Sequence, residues 1–384
     1  MKCYMDHAAT TPVDKEVVNV MLPYFSEKFG NSSSLHQWGQ EAKEALESAR
    51  DECAKLIGAD AKEIVFTSGG SESDNLALKG VLGANPKKNH IVTSAIEHHA
   101  IHTTSKELEK EGFKVTFVPV DKYGMVSVSD VSNAITEKTA IVSIMHANNE
   151  IGTIQPIEEI GKVCKQKGVK FHTDAVQSVG KIPVDVEKLN VDLLSASGHK
   201  IYGPKGVGFL YIKRGTKVKA LIQGGGHEFG LRAGTENISG IVGLGKACEI
   251  ARKGMVKEGE RLTKLSKYLV DKMMGEIGDS YLNGHPTKRI PGTNNFRFDY
   301  IEGEALILHM DMKGIAASTG SACSTKSLEP SYVLTSLGLE HVQAHGSLRL
   351  SLGKINNKEQ VDYVVESVKE IVENLRTISP LRKR

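Results

Sequence analysis

Short apolar runs alternate with helical stretches from residue 39 to about residue 200, and this pattern limits the fold more than any other feature. Residues 39–57 carry apolar side chains at helical spacing, and EIVFTS then reads as a buried strand ending at a Gly-Gly-Ser turn. HIVTSAIEH, KVTFVPV, TAIVSIMHA, VKFHTDA and VDLLSAS read as further strands, several separated by helical stretches such as IEEIGKVCKQKG. Parallel neighbours need a connection long enough to hold a helix, so this order predicts a mainly parallel sheet with helices on both faces.

The pattern changes after QGGGHEFG, where a long amphipathic helix over roughly 238–276 leads into strands around NNFRFDY and SLRLSLG. A chain of 384 residues exceeds what one core usually fills. The expected division is a large domain over 15–257 and a smaller α+β domain over 258–384 joined by residues 1–14.

A hydrophobic content of 40% and a net charge of +3 describe an ordinary globular chain and argue against a dedicated nucleic-acid surface. No apolar stretch is long enough for a signal peptide or a bilayer span, so a cytoplasmic protein is expected. The basic end Arg382, Lys383, Arg384 reads as a solvated tail. Five scattered cysteines without a C-x-x-C pair speak against a disulfide framework or a four-cysteine metal site.

Ligands of open parallel sheets bind beyond the carboxyl ends of the strands. There VKFHTDA stops at Asp174, and VDLLSAS runs into Ser197, Gly198, His199 and Lys200. A lysine amine can hold the aldehyde of pyridoxal phosphate as a Schiff base while a carboxylate keeps the pyridine nitrogen protonated. The same two residues also read as solvated charges at strand ends. Gly70 and Ser71 in FTSGGSESDNLALKG offer N–H groups and a hydroxyl where a helix begins, either an anion cup or a plain helix cap. No G-K-[ST] follows, so the segment is not a Walker loop.

His98 follows another apolar strand, as an imidazole stacked on a flat ring or as a helix-start histidine. With His102 it lacks the H-E-x-x-H order of a zinc pair. Asn148, Asn149 and Gln177 offer amides to a cofactor or substrate oxygen, and equally read as a polar turn and an exposed helix residue. In SLRLSLG, Leu348, Leu350 and Leu352 share one strand face, leaving Arg349 and Ser351 on the other, toward a cleft or toward solvent. A planar guanidinium there would grip a carboxylate through two parallel hydrogen bonds.

MDHAATTPV, FGNSSSLH, FTSGGSESDNLALKG, VSIMHANNEIGTIQPI, FHTDAVQSVGK, SASGHKIYGPKGVG, GGGHEFGLRAGTEN, STGSACSTKSLEPSYVL and HGSLRLSLG follow one another along the chain. In this order they resemble the cysteine desulfurases of the NifS/IscS type, in the class V aminotransferase family, from about residue 4 to about residue 360. The resemblance implies a fold-type I pyridoxal-phosphate transferase with a mainly parallel seven-stranded sheet, flanked by helices, plus a smaller α+β domain. It implies a homodimer that takes sulfur from L-cysteine and releases L-alanine.

Position by position, Lys200 matches the Schiff-base lysine, Asp174 the partner of the ring nitrogen, Gln177 and Asn149 the groups near the phenolic oxygen, and His98 the stacking histidine. Gly70, Ser71, Ser197 and His199 match the phosphate cup, Ser71 standing where many relatives carry threonine. Thr235 matches a residue reaching the phosphate of the neighbouring subunit, and Asn31 and Arg349 match residues holding the substrate carboxylate.

Cys323 separates a desulfurase from the aminotransferases of this fold. Its segment STGSACSTKSLEP has almost no apolar anchor, which predicts an exposed, mobile loop. Cys53, Cys164 and Cys248 lie in helical patterns that suit inert packing, and Cys3 lies near the terminus. The implied chemistry has Lys200 removing the Cα proton, His98 carrying protons and the Cys323 thiolate taking the sulfur as a persulfide. The loop lacks R-x-G-x-x-C, so it resembles the class that hands sulfur to an iron-sulfur scaffold, where the persulfide cysteine transiently shares a nascent cluster as a metal ligand. tRNA thiolation is a further destination. Two rivals are a selenocysteine lyase or other pyridoxal-phosphate lyase on the same frame, and a catalytically silent scaffold, which would be expected to have lost Lys200 or Cys323.

Overall fold

Twelve short strands follow one another in the computed structural model, which describes residues 1–320 and 330–380: β1 (Cys3–Tyr4), β2 (Ile64–Thr67), β3 (His90–Ser94), β4 (Lys114–Val118), β5 (Thr139–Ser143), β6 (Lys170–Asp174), β7 (Leu193–Ser197), β8 (Gly208–Ile212), β9 (Ser280–Asn283), β10 (Thr293–Phe298), β11 (Ile315–Ala316) and β12 (Ser347–Ser351). The six apolar runs read from the sequence, joined by β8, a strand absent from that reading, form one seven-stranded sheet in the order β2-β8-β7-β6-β5-β3-β4. The pairs β4–β3, β3–β5, β5–β6 and β6–β7 are parallel, as expected. β8 alone runs against its neighbours β2 and β7. The connection 198–207 is too short for a helical crossover, so the chain folds back beside β7 in the reverse sense.

Alternation along each strand divides its side chains between two helix layers. Phe66, Val92, Val142, Leu194 and Phe209 face one core, and Val65, Ile91, Ile141, Leu193 and Leu210 face the other. A sheet covered on both faces explains why its strands read as continuous apolar runs rather than alternating ones.

A second sheet, β12-β10-β9, is antiparallel. Its core contains Phe296, Leu348, Leu350 and Leu352, together with Cys3 and Met5 from the amino terminus. The expected long helix is Ile238–Glu276, 39 residues that at ~1.5 Å each extend nearly 60 Å. That length lets Leu244 and Cys248 pack in the first core while Leu269 and Met273 pack in the second. β1 pairs with β11 and Asp6 bridges to Ser351, after which the chain crosses toward the carboxyl ends of the large sheet. Among the described residues no helix is long and apolar enough to cross a membrane.

Candidate active site

β2, β3, β5, β6 and β7 share one direction, so the segments leaving their carboxyl ends converge. They enclose a cavity of about 260 Å³ lined by Gly70, Ser71, His98, Asn149, Asp174, Gln177, Ser197, His199 and Lys200, with Arg349 contributed by β12. Nine of these ten residues lie at or just beyond five strand ends of one sheet, which is the ligand position of open α/β folds.

Lys200 closes the one-turn 3-10 helix Gly198–Lys200 that follows β7. A Cβ on Gly198 would stand 2.9 Å from the Pro204 carbonyl oxygen, so the tight turn presenting the lysine needs glycine. Lys200 Nζ donates to the carbonyls of Ala8 at 2.6 Å and Ala9 at 2.8 Å. Asp174 ends β6, and its Oδ1 accepts from the Val176 N–H at 2.9 Å. Burial pushes its carboxyl up to about 6, while that N–H and the Lys200 charge pull the other way.

A second acid, Asp74, 1% exposed, lines the same cavity, and its Oδ1, 3.6 Å from His172 Nε2, has no hydrogen-bond partner. Burial and the Asp174 charge push its pKa well above the usual carboxylate range. One donor atom each from Asp74, His98 and Asp174 lie within 4.8 Å of one another. The His172 ring beside Asp74 is kept neutral by burial, so a further cation at the two carboxyls would favour their charged form.

The helix Gly70–Ala84 starts at the cavity without any side-chain cap. Its first N–H groups therefore lack partners within the helix and are available to an anion. A Cβ on Gly70 would come within 2.6 Å of Val176 Cγ2 on the cavity wall. His98 caps the helix His99–Lys110, its Nδ1 accepting from the Ala100 N–H at 3.1 Å, and it also lines the cavity. The two readings of this histidine coexist. Burial, then the Lys200 charge, lower its pKa to about 4, so the ring is neutral with its proton on Nε2.

Arg349 is 2% exposed, which settles cleft against solvent. Its Nη1 donates to the Asn149 carbonyl and its Nη2 to Asp6 Oδ1, both at 2.9 Å, and its Nε is unpartnered. Gln177 is buried rather than an exposed helix residue. The two asparagines separate: Asn148 spends its amide on Ile96 and on the N–H groups of Glu150 and Ile151, shaping the turn, while Asn149 lines the cavity. His102 stacks on Tyr332 at 4.5 Å.

Asn31 and Thr235 are exposed and stand outside this cavity. Their segments meet through Ser32 Oγ, which donates to Glu236 Oε2 at 2.9 Å. Cys323 lies outside the described residues. Cys53, Cys164 and Cys248 are buried in helices, as expected, and Cys3 is buried in β1; all four are free thiols. The sequence reading assigned no role to Ala8, Ala9 or Asp74. Asp74 carried a local signal, an acid on the same helix face as Ala77, Leu78 and Val81, all buried.

An electron-accepting ring with a cationic nitrogen and a phosphate fits this cavity: paired acids at one place, an uncapped helix start at another, a lysine between strand ends. The architecture and site define a fold-type I pyridoxal-phosphate transferase. The chain belongs to the class V aminotransferase family, whose model matches residues 3–364, and it groups there with the NifS/IscS-type cysteine desulfurases.

It is 55% identical over 379 residues to a cysteine desulfurase IscS of Methanosarcina thermophila, covering 98% of this chain and 94% of that protein. It is 55% identical over 381 residues to a cysteine desulfurase IscS of Clostridium botulinum, covering 98% and 96%. Among solved structures, a NifS-like protein superposes with a TM-score of 0.92 at 41% identity, covering 98% of this chain and all of that one (100%). SspA in complex with cysteine matches with a TM-score of 0.82 at 39% identity, covering 91% and 99%.

Proposed function

We propose that this chain is a pyridoxal-phosphate-dependent cysteine desulfurase that converts L-cysteine to L-alanine and passes the sulfur to Cys323. The observation that carries the reading is the meeting of Lys200, Asp174, the uncapped start of the helix Gly70–Ala84 and Arg349 around one cavity. Bound there, pyridoxal phosphate supplies an electron sink for charge developing at the substrate Cα.

Lys200 is the amine that would hold the cofactor aldehyde and, when free, would take the Cα proton. Asp174, with Asp74 beside it, would keep the ring nitrogen charged. Gly70, Ser71, Ser197 and His199 would receive the phosphate, and Gln177 and Asn149 would serve the phenolic oxygen. Arg349 grips the substrate carboxylate, orienting the Cα bond that must break. Asn31, which stands outside the cavity of this subunit, is the second residue that the family resemblance assigns to that carboxylate. Neutral His98 offers its Nε2 proton. The Cys323 thiolate attacks the substrate sulfur, so that a sulfur–sulfur bond forms, the carbon–sulfur bond breaks, and the carbon takes up a proton to give alanine.

The persulfide then passes to an acceptor protein, an iron-sulfur scaffold in the cytoplasm, with tRNA thiolation a second destination for the same sulfur. Cys323 shares a nascent cluster with the scaffold as cargo. The enzyme acts as a homodimer in which Thr235 reaches the partner's phosphate. In keeping with a dimer, Phe25, Phe29, Leu35, Trp38 and Phe229 are exposed. The catalytic unit comprises a large domain over 15–257 and a small one over 1–14 with 258–384, a division supported by the second core drawing on Met5 and Leu262 together.

The test is to load the protein with pyridoxal phosphate, add L-cysteine, and measure sulfide and alanine beside Lys200→Ala and Cys323→Ala. The parent gives both products and a visible cofactor band. Lys200→Ala loses the band, and Cys323→Ala keeps it but forms no persulfide. Sulfide release by Cys323→Ala at the parental rate would remove that thiol from the reaction, and faster selenide release from selenocysteine would change the substrate.

A further inference from the structure

Lys181 is a charged side chain at the edge of the site that the reaction above leaves unused. It ends the turn that begins at Asp174, and its Nζ donates to Gln177 Oε1 at 2.8 Å. Gln177 Nε2 in turn donates to the Ala8 carbonyl at 2.9 Å. The same carbonyl accepts from Lys200 Nζ at 2.6 Å. A hydrogen-bonded chain thus runs from one lysine to the other through one amide and one backbone oxygen.

An ammonium group has donors only, so its contact decides which end of the amide is which. Oε1 must face Lys181, and both N–H bonds of Gln177 are turned away from it. One reaches Ala8, and the other is left for an oxygen on whatever Lys200 holds. Without Lys181 the amide has no such constraint at its oxygen end.

Lys181 itself lines a second cavity of about 590 Å³, which shares Ala8 and Lys200 with the first, and reaches the first through Gln177. Among the described residues no carboxylate pairs with it. The charged groups that act on it are Lys200 and Arg349, which with burial as the larger cause lower its pKa to about 7. His7 and His199 feel its charge in turn. On the wall of the larger cavity Glu258 is bound to Arg261, leaving Glu260 as the other acid there.

We propose that Lys181 is a positioning residue for the Lys200 site, orienting the Gln177 amide and, while protonated, adding a positive charge that acts on the nitrogen of Lys200. The proposal rests on the reading of Lys200 as the aldehyde-holding lysine. A cation at that place opposes a further proton on the lysine nitrogen, and an oriented N–H favours a charged oxygen nearby. Both effects lower the pH at which the cofactor-bound site loses its proton. If Lys181 only braced the turn, its removal would change stability and leave that titration alone.

The experiment is a pH titration of the visible absorbance of pyridoxal-phosphate-loaded parent, Lys181→Met and Lys181→Arg, with urea unfolding of each measured alongside. The expected midpoint of Lys181→Met lies about one pH unit above the parent, the size of one neighbouring charge in a partly solvated site. Lys181→Arg, which keeps the charge and the donor, returns most of the shift. Should Lys181→Met not fold, Lys181→Gln is read in the same way. An unchanged midpoint in a folded, loaded neutral variant overturns the proposal, as does a shift in Lys181→Arg equal to that of Lys181→Met. A parent protein with no visible band overturns the reading of Lys200 itself, and this proposal with it.

Discussion

Arg349 and Asp6, 343 residues apart, form a partly buried ion pair in which Nη2 donates to Oδ1 at 2.9 Å. The amino terminus thereby holds the guanidinium that faces the cavity, and Asp6 Oδ2 is occupied by the Ser318 hydroxyl at 2.8 Å. Arg349→Lys should raise KM for L-cysteine by about 10–100-fold, because a lysine cannot reproduce two parallel hydrogen bonds. Asp6→Asn should raise KM by about tenfold with a smaller change in kcat, since it loosens the arginine without removing it. Steady-state kinetics over a range of cysteine concentrations check both.

Gly70→Ala places a methyl group 2.6 Å from Val176 Cγ2, so the valine must move into the cavity or the helix start must shift. Affinity for pyridoxal phosphate should fall about tenfold or more, the cost of modest overpacking. Equilibrium titration of cofactor-free protein measures it, and an unchanged affinity would take Gly70 out of the cup.

Arg50 and Glu228 form a two-point ion pair at 2.7 and 2.8 Å, both side chains buried. Glu228 Oε2 also accepts from the Phe66 N–H, while Arg50 Nη1 donates to the Ile64 carbonyl, so together they cap the free edge of β2. Glu228 and Phe229 both sit at positive φ, 47° and 58°, a strained pair that these contacts hold. Glu228→Gln should cost about 3–5 kcal/mol, the usual price of stranding one partner of a buried pair. Urea unfolding of the loaded protein gives the value, and proteolysis within 227–232 should rise with it.

Leu35 is 93% exposed and Phe29 67%, on a segment tied to the loop that carries Thr235. Leu35→Glu combined with Phe29→Glu should weaken self-association at least tenfold in sedimentation velocity while leaving the far-ultraviolet spectrum unchanged. Parental self-association in this double variant would place the interface elsewhere.

Stability of the cofactor-free protein should rise up to about pH 6.5 and then level off. Burial holds His7, His98 and His146 at pKa about 4 and His172 at about 3. Each takes up a proton on unfolding below pH 6.5, so stability falls as pH drops from 6.5 toward 4. The ion-paired Glu52 and Glu72, with lowered pKa values, act in the same sense. Glu97 acts oppositely: burial raises it to about 8, so its folded-state proton is lost as pH rises, and its contribution declines from 4.5 to about 8. Above 6.5 the contributions of Glu97 and Asp74 decline while that of Lys181, lowered to about 7 in the fold, grows, so the curve levels off. Thermal midpoints between pH 5 and 8.5 test the shape, and a rise continuing undiminished through pH 8 would exclude the Glu97 effect.

Local patterns carried much of this molecule. Residues 39–57 and 238–276 were legible as helices because helical spacing is a property of neighbouring residues, and the structure places helices at Gln37–Ile57 and Ile238–Glu276. The reversed sense of β8 was not legible, since direction depends on which strand the chain returns to. Asn148 and Asn149 looked alike in sequence, and only the hydrogen bonds of the folded turn divide one from the other. Asp74 hid inside a motif read for its helix start, although its place on an apolar face was visible. Cys323 owes its role to the family resemblance, and its segment lies outside the described residues.

The sequence by itself determined the order of strands and helices, the residue types at the strand ends and the family, because each rests on local spacing or on motifs in linear order. The tertiary structure decided which of those residues meet. Parallel strands carry distant segments to one edge of the sheet, and the return of the amino terminus brings Asp6 and Ala8 against Arg349 and Lys200. Burial and mutual charge then set the protonation of Asp174, His98 and Lys181, which spacing along the chain does not encode.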